Sequence, residues 1–426
     1  MDTLCADPFE SAAIETFEDW SVTLDRREVE FAVDMAGKLA MRQSTIPALG
    51  AVRLGLTPEG QPCFYATNLD AGIEVRLDDP VPGFPDKDRS LTARSLLVGV
   101  KEMRDALRAM RATGAASVGF TVEEGSLTLT AGALDIRLNA PMKPDDLPVL
   151  GDPNFDSPTF RQISLATAAD FAQALTFVAK AVSTEETRYY LNGVCIDRDE
   201  KTGDILLVAT DGHRLHAAPV RGIEEPAPTD PDCRPIVPLF TVNTLRRLLA
   251  KEVDPHAPFA LDLDDKRIRF AADLPGMRVI VVSKLIDGTY PDWRKVVPPT
   301  KRRKRMVCDA ARLIAAASVL ACGLRPNTAC DAAVLERQAG RKTIALEHKR
   351  LAGESILRTT APCAGGGIRD VKIGLNPCYL RDALAAFDNP AETIGISFDA
   401  KSPASCPAVL AAAKPGPFVI LMPMRI

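Results

Sequence analysis

The residues of this chain with the strongest claim to chemistry sit in one short run, Ala209–His216, which reads A-T-D-G-H-R-L-H. Asp211, His213 and His216 form D-x-H-x-x-H, a set that could ligate a metal or make an acid–base pair. Nothing elsewhere in the chain supports either use. Histidine ligands on a helix usually recur at i,i+4, and no second cluster of Cys, His or paired carboxylates accompanies these three. His256 and His348 are isolated. No G-x-S-x-G supplies a nucleophile for an acid–base pair to activate. The glycine run in CAGGGIRD (Cys363–Asp370) lacks both the G-x-G-x-x-G frame and the Lys-Ser/Thr of a phosphate cradle, and reads as a loop. The expectation is a protein with no catalytic residue, no metal and no cofactor.

The composition bounds the class without choosing within it. A chain of 426 residues suggests about three domains of ~100–150 residues. Hydrophobic residues at 46% and charged residues at 25% are ordinary for a soluble globular protein. A formal net charge of −4 excludes a bulk polyanion binder, so any nucleic-acid contact must come from cations gathered on one surface. Ten cysteines at irregular spacing, with no C-x-x-C, read as reduced and mostly buried thiols. The acidic start does not resemble a signal peptide. No apolar run reaches the ~18 residues that span a bilayer. The reading is cytoplasmic, with no membrane partner.

The elements that must position the central run repeat three times. WSVTLDRREVEFAVDMAGKLAM (from Trp20), RQISLATAADFAQALTFVAKAV (from Arg161) and KRMVCDAARLIAAASVLAC (from Lys304) each alternate, pass a polar cap and then run apolar at helical spacing. SLTARSLLVGVKEMRDAL (from Ser90), PIVPLFTVNTLRRLLAKE (from Pro235) and VKIGLNPCYLRDALAAF (from Val371) repeat that plan at offsets close to 140 residues. Alternating stretches such as GDILLVAT, MRVIVVSK, KTIALEH and ETIGISFD read as strands between them. The fold class is therefore α+β, with three similar domains of two helices and a sheet each; the alternative is three unrelated α+β domains that share a supersecondary element. The expected boundaries are 1–19 for a flexible acidic extension, then 20–157, 158–299 and 300–426.

Cations recur on these helices. Around Val100–Met110, the residues Leu97, Val100, Met103, Leu107 and Met110 share one arc, and Lys101, Arg104, Arg108 and Arg111 form a stripe beside it. In the second repeat Arg247 and Lys251 lie opposite Val242, Leu245 and Leu249. In the third, Arg381 and Arg312 are isolated. The run TKRRKR (Thr300–Arg305) adds five cations outside any helix.

Four segments carry a more specific signal: TRYYLNGV (Thr187–Val194), ATDGHRLH, LIDGTYPDWRKVVP (Leu285–Pro298) and the terminal MPMRI (Met422–Ile426). In order and spacing they resemble the bacterial sliding clamp family, the β subunit of the replicative DNA polymerase III. That resemblance implies a head-to-tail homodimer closing a ring of six similar units around double-stranded DNA, with no chemistry of its own. It implies a peptide-binding pocket from Leu191, Thr210, Gly212, His213, Arg214, Leu215, Pro291, Lys295, Val296, Ile420, Met422, Pro423, Met424, Arg425 and Ile426. Leu, Val, Ile, Met and Pro suit a shallow apolar groove, and Arg214 and Arg425 are expected to fix peptide carbonyls or acidic groups at its rim. Implied partners are the polymerase III α subunit, a clamp loader, and other polymerases and repair proteins through clamp-binding peptides.

The resemblance also implies non-sequence-specific DNA contacts at Arg42, Arg94, Lys101, Arg104, Arg108, Arg111, Tyr189, Tyr190, Arg247 and Lys251. The dimer interface is expected where Ile136 and Leu138 of one chain meet Val319 and Leu320 of the other. The chain departs from the family at Gln43, where an Arg is usual, and at Lys295, which replaces a planar fork by a point charge. The loop VPLFT lacks the usual basic pair. An alternative reading is a clamp-fold paralogue that serves as a peptide-binding adaptor or a drug-resistant second copy.

Overall fold

Each step from strand to first helix is made by a polar residue that ends the strand and caps the helix. Asp25 ends the strand Trp20–Asp25 and accepts from the amides of Arg27 and Glu28 at the start of α1 (Arg26–Ala36). Thr167 ends Arg161–Thr167 and accepts from Asp170 N at the start of α3 (Ala168–Ala179). Asp309 ends Arg303–Asp309 and accepts from Arg312 N at the start of α5 (Ala310–Leu320). These oxygens satisfy donors that the helix itself leaves open. The three helices begin at 26, 168 and 310, in equal steps of 142 residues.

The second helices are α2 (Val100–Ala112), α4 (Leu239–Leu249) and α6 (Pro377–Leu384), again each after a short strand. Asn376 caps α6, and Pro377 fills a first-turn position that needs no donor. Within each repeat the two helices lie against each other. Leu97 belongs to the strand Leu96–Gly99 rather than to α2, and joins the core from there.

The computed structural model describes residues 19–41, 44–82, 95–123, 125–150, 161–199, 203–220, 234–249, 258–263, 266–299, 303–322, 324, 332–338, 340–349, 356–364, 370–387, 393–399, 401–412 and 415–426. The expected extension before residue 19, and Arg42, Gln43, Arg94, Lys251 and His256, lie outside them. The chain divides into two compact units, Met1–Phe160 with Arg269–Ser283, and Arg161–Ile268 with Lys284–Ile426.

In the first unit, a four-stranded antiparallel sheet runs in the order Trp20–Asp25, Ser117–Glu123, Ser126–Ala131, Leu134–Asn139. A second layer orders Leu96–Gly99, Ala51–Leu56, Pro62–Thr67 and Ala71–Leu77, the last of which pairs with Met277–Lys284. Buried apolar residues of α1 and α2 complete its core, among them Val33, Met103, Leu107 and Met110.

The second unit is built on a twelve-stranded sheet shared by the second and third repeats. Its join is the antiparallel pair of Arg214–Pro219 with the last strand, Phe418–Leu421, in the register Arg214↔Leu421, Leu215↔Ile420, His216↔Val419. The cationic run 300–305 enters this sheet: 303–305 open the strand Arg303–Asp309. Arg303 Nη2 donates to the carbonyls of Ser397 and Pro407 at 2.5 and 3.0 Å, and Arg305 Nη2 to that of Ala412 at 2.8 Å. These two side chains are committed to fastening strands.

Candidate functional site: an apolar cluster closed by the chain terminus

The turn 210–213 brings the strand Arg214–Pro219 into place by a set of local bonds. Thr210 Oγ1 donates to Arg214 O at 2.6 Å and accepts from Gly212 N at 3.1 Å. Asp211 Oδ1 accepts from the amides of His213 and Arg214 at 2.9 and 3.0 Å. Gly212 has φ +89°, a left-handed conformation that disfavours any side chain, and a Cβ there would stand 2.5 Å from Arg188 Nη1. Asp211 is therefore a turn-former, as Asp commonly is.

Its second oxygen is also engaged. Arg214 Nε donates to Asp211 Oδ2 at 3.0 Å, and Arg214 Nη1 to Asp382 Oδ2 of α6 at 3.2 Å. The guanidinium lies 4.4 Å from the ring centre of Tyr379, also of α6. Arg214 is 6% exposed. This corrects its expected place at the rim: the side chain is buried and ties the second repeat to the third. Both α6 partners carry part of the site, and the sequence reading missed them. The signal was present, since a buried Arg needs carboxylates, but their 168-residue separation hid it.

The three residues that suggested metal or acid–base chemistry point to different tasks. His213 is exposed and stacks on Tyr379, centroids 6.3 Å apart. His216 is fully buried, its Nδ1 bonded to Phe177 O at 2.8 Å. Burial, with the charges of Arg214 and Lys180, lowers its pKa to about 3, so at neutral pH the ring is uncharged and its Nδ1–H donates to that carbonyl.

Beside this turn lies an apolar cluster that includes Leu191, Leu206, Val208, Leu215, Tyr290, Trp293 and Ile420. Three expected pocket residues, Leu191, Leu215 and Ile420, are thus its floor. The loop that carries Pro291, Lys295 and Val296 is tied down by its neighbours. Trp293 Nε1 and Arg294 Nη1 both donate to Asp197 Oδ2, at 2.7 and 2.6 Å. Burial pushes the Asp197 carboxyl up, but these bonds more than offset it and leave it below the ordinary value. Pro291, Lys295 and Val296 are left exposed above the cluster.

The chain terminus closes the other side. Met422 N donates to His213 O at 2.9 Å and Met424 N to Gly374 O at 2.8 Å. Gly374 has to be small: a Cβ there would stand 2.7 Å from Met424 O and 2.8 Å from Ile426 Cγ1. Met422 and Ile426 are exposed, 42% and 58%, Arg425 is exposed, and Pro423 and Met424 are half-buried. Leu191, Leu215 and Ile420 thus form a floor of buried aliphatics, and His213, Val296 and Met422 a rim of exposed apolar and aromatic groups. Such a surface can take apolar side chains of an extended peptide without any catalytic group.

The candidate DNA residues divide between units. On α2 of the first unit, Lys101, Arg108 and Arg111 are exposed. Arg104 is half-buried and donates to Asp34 Oδ1 of α1 at 2.9 Å, and Arg108 pairs with Asp105 at 2.7 Å. In the second unit Arg247 is exposed on α4, Tyr189 is exposed, and Tyr190 is half-buried with its ring edge-on to Tyr189 at 5.8 Å. Of the expected interface residues, Ile136 and Leu138 are half-buried on the terminal strand of the four-stranded sheet. Val319 is 46% exposed. Leu320 is 0% exposed and belongs to the core under α5. This corrects its assignment to an interface, because a buried side chain offers no surface to a partner.

Comparison with known proteins agrees with this architecture. Residues 166–292 match the family model of the DNA polymerase III beta subunit, central domain. The beta sliding clamp of Caulobacter vibrioides (strain NA1000 / CB15N) is 28% identical over 419 residues, covering 95% of this chain and 100% of that one. That of Rickettsia bellii is 23% identical over 379 residues, covering 86% and 90%. Among solved structures, the sliding clamp of Bartonella birtlesii bound to griselimycin superposes with a TM-score of 0.76 at 22% identity, covering 96% of this chain and 100% of that one. The polymerase III beta subunit of Thermotoga maritima gives 0.73 at 18% identity, covering 96% and 100%. The fold is that of the sliding clamps, helices on antiparallel sheet in three similar domains. Within that class, residues 166–292 match the central domain of the DNA polymerase III beta subunit, and the chain is similar over 95% of its length to a curated bacterial beta sliding clamp.

Proposed function

We propose that this protein is a DNA sliding clamp, a non-catalytic processivity factor that closes a homodimeric ring around duplex DNA. In this reading its domains are 20–157, 158–299 and 300–426. Tethering raises the effective concentration of a polymerase at its template, so that rebinding becomes intramolecular. DNA contacts fall to Lys101, Arg108, Arg111, Arg247, Tyr189 and Tyr190, together with Arg42, Arg94 and Lys251, as phosphate contacts that read no sequence. Partners dock through short peptides in the apolar site: the polymerase III α subunit, a clamp loader and other polymerases or repair proteins. The place of action is the cytoplasm. Among the described residues no helix is long and apolar enough to cross a membrane.

The observation that carries this reading is the buried floor of Leu191, Leu215 and Ile420, with Met422, whose amide bonds His213 O, left exposed where the last strand ends. Exposed apolar groups beside a buried apolar floor suit the docking of an extended peptide. The test is titration of a polymerase-tail peptide into the chain ending at Leu421. Peptide affinity falls by at least tenfold, about 1.4 kcal/mol, while the dimer persists. Undiminished affinity would place the docking site elsewhere.

A further inference from the structure

The strand Ile356–Ala364 pairs with Thr343–Lys349 over its length, from Ile356↔Lys349 to Pro362↔Thr343. Among the described residues its other edge meets Arg303–Asp309 at two positions, Val307↔Ala364 and Cys308↔Cys363. Two cysteines therefore stand directly opposite each other at this seam. Directly opposed residues of antiparallel strands have Cα atoms about 4.5–5.5 Å apart. A disulfide needs roughly 4.4–6.8 Å. Opposed side chains share one face, and both thiols are buried there, Cys308 at 1% and Cys363 at 5% exposure, on the side where α5 packs. Both are free thiols.

We propose that Cys308 and Cys363 are a modification site: under oxidant they form a reversible disulfide that staples this seam. Taking hydrogen peroxide as oxidant, Cys363 gives up its proton and its sulfur attacks one peroxide oxygen. The O–O bond breaks, and the hydroxide released takes the proton to become water. The sulfur of Cys308 then attacks the Cys363 sulfenic sulfur. The S–O bond breaks, and that hydroxide takes the Cys308 proton. Two thiols and one peroxide thus become one disulfide and two waters, with both sulfurs oxidised and the peroxide reduced.

The order of attack follows from the surroundings. Burial raises both thiols, Cys308 to about 12, but Cys363 also bonds the Arg337 guanidinium, which favours its thiolate. In a reducing compartment the pair stays reduced. Oxidation would fix the strand Ile356–Ala364 to Arg303–Asp309 at this pair, whatever the chain binds.

The test uses the intact native chain. It is treated with hydrogen peroxide, quenched with an alkylating reagent, digested without reductant and mapped by mass. The expected product is a Cys308–Cys363 peptide pair lighter by two hydrogens, lost on adding dithiothreitol, in a protein that melts several degrees higher than its reduced form. The Cys308→Ser variant lacks this pair and Cys322→Ser retains it. Recovery of both Cys308 and Cys363 as alkylated thiols after the exposed Cys322 is fully oxidised would overturn the proposal. So would pairing of either with another cysteine.

Discussion

His216 shows what a single residue contributes here. Its ring is buried and uncharged, with a pKa near 3 where an unfolded chain has about 6.5. Between those values the unfolded chain binds more protons than the folded one, so stability falls as the pH drops below about 6.5. Each unit of pH in that window costs roughly 1.4 kcal/mol, about 2 kcal/mol by pH 5. His216→Asn keeps a donor for Phe177 O and removes the titration. Urea unfolding at pH 7.5 and pH 5 checks this: the parent loses more stability than the variant between the two. Equal losses would mean that His216 is reached by solvent before it is protonated. The same residue shows the limit of reading chemistry from spacing. Asp211, His213 and His216 sit within six positions, yet a turn, an exposed stack and a buried donor divide them.

At the scale of elements, the helices decide which cations and apolar groups are available. Val319 and Leu320 are adjacent on α5 but about 100° apart around it, one exposed and one in the core. Leu320→Ala should cost about 2–5 kcal/mol by leaving a cavity. Val319→Asp should leave stability within ~0.5 kcal/mol and yield a folded monomer by sedimentation. A Val319→Asp protein that stays dimeric at low concentration would move the interface elsewhere. On α2, Arg104 and Arg108 hold Asp34 and Asp105, whereas among the described residues no carboxylate pairs with Lys101 or Arg111. Replacing Lys101 and Arg111 with Ala should lower the salt slope of DNA binding by up to about two units, equally across sequences. An unchanged slope would make α2 an ordinary solvated face.

The helices themselves were legible, because the strand–cap–apolar pattern returns at a fixed step and Asp25, Thr167 and Asp309 each cap the helix they precede. Leu191 and Leu215 of the buried cluster fall in the motifs TRYYLNGV and ATDGHRLH, and Ile420 in the apolar strand just before MPMRI. What the sequence hid were pairings across long separations. Tyr379 and Asp382 bracket Arg214 only because the sheet joins the second repeat to the third. Arg303 and Arg305 looked free until their strand gave them carbonyls to bind. Helical spacing placed Leu97 on α2, although the strand ends at Gly99.

For the whole molecule, topology matters more than affinity. A ring that encircles duplex DNA is held by closure, not by tight contacts, which suits a chain of net charge −4 with a few cations on its helices. The decisive measurement is retention on circular nicked DNA after loading with a clamp loader, followed by cutting of the circle. The chain should stay on the closed circle through a high-salt wash and leave once the DNA is made linear. Equal loss from circle and linear DNA, or retention that survives linearisation, would contradict a sliding ring.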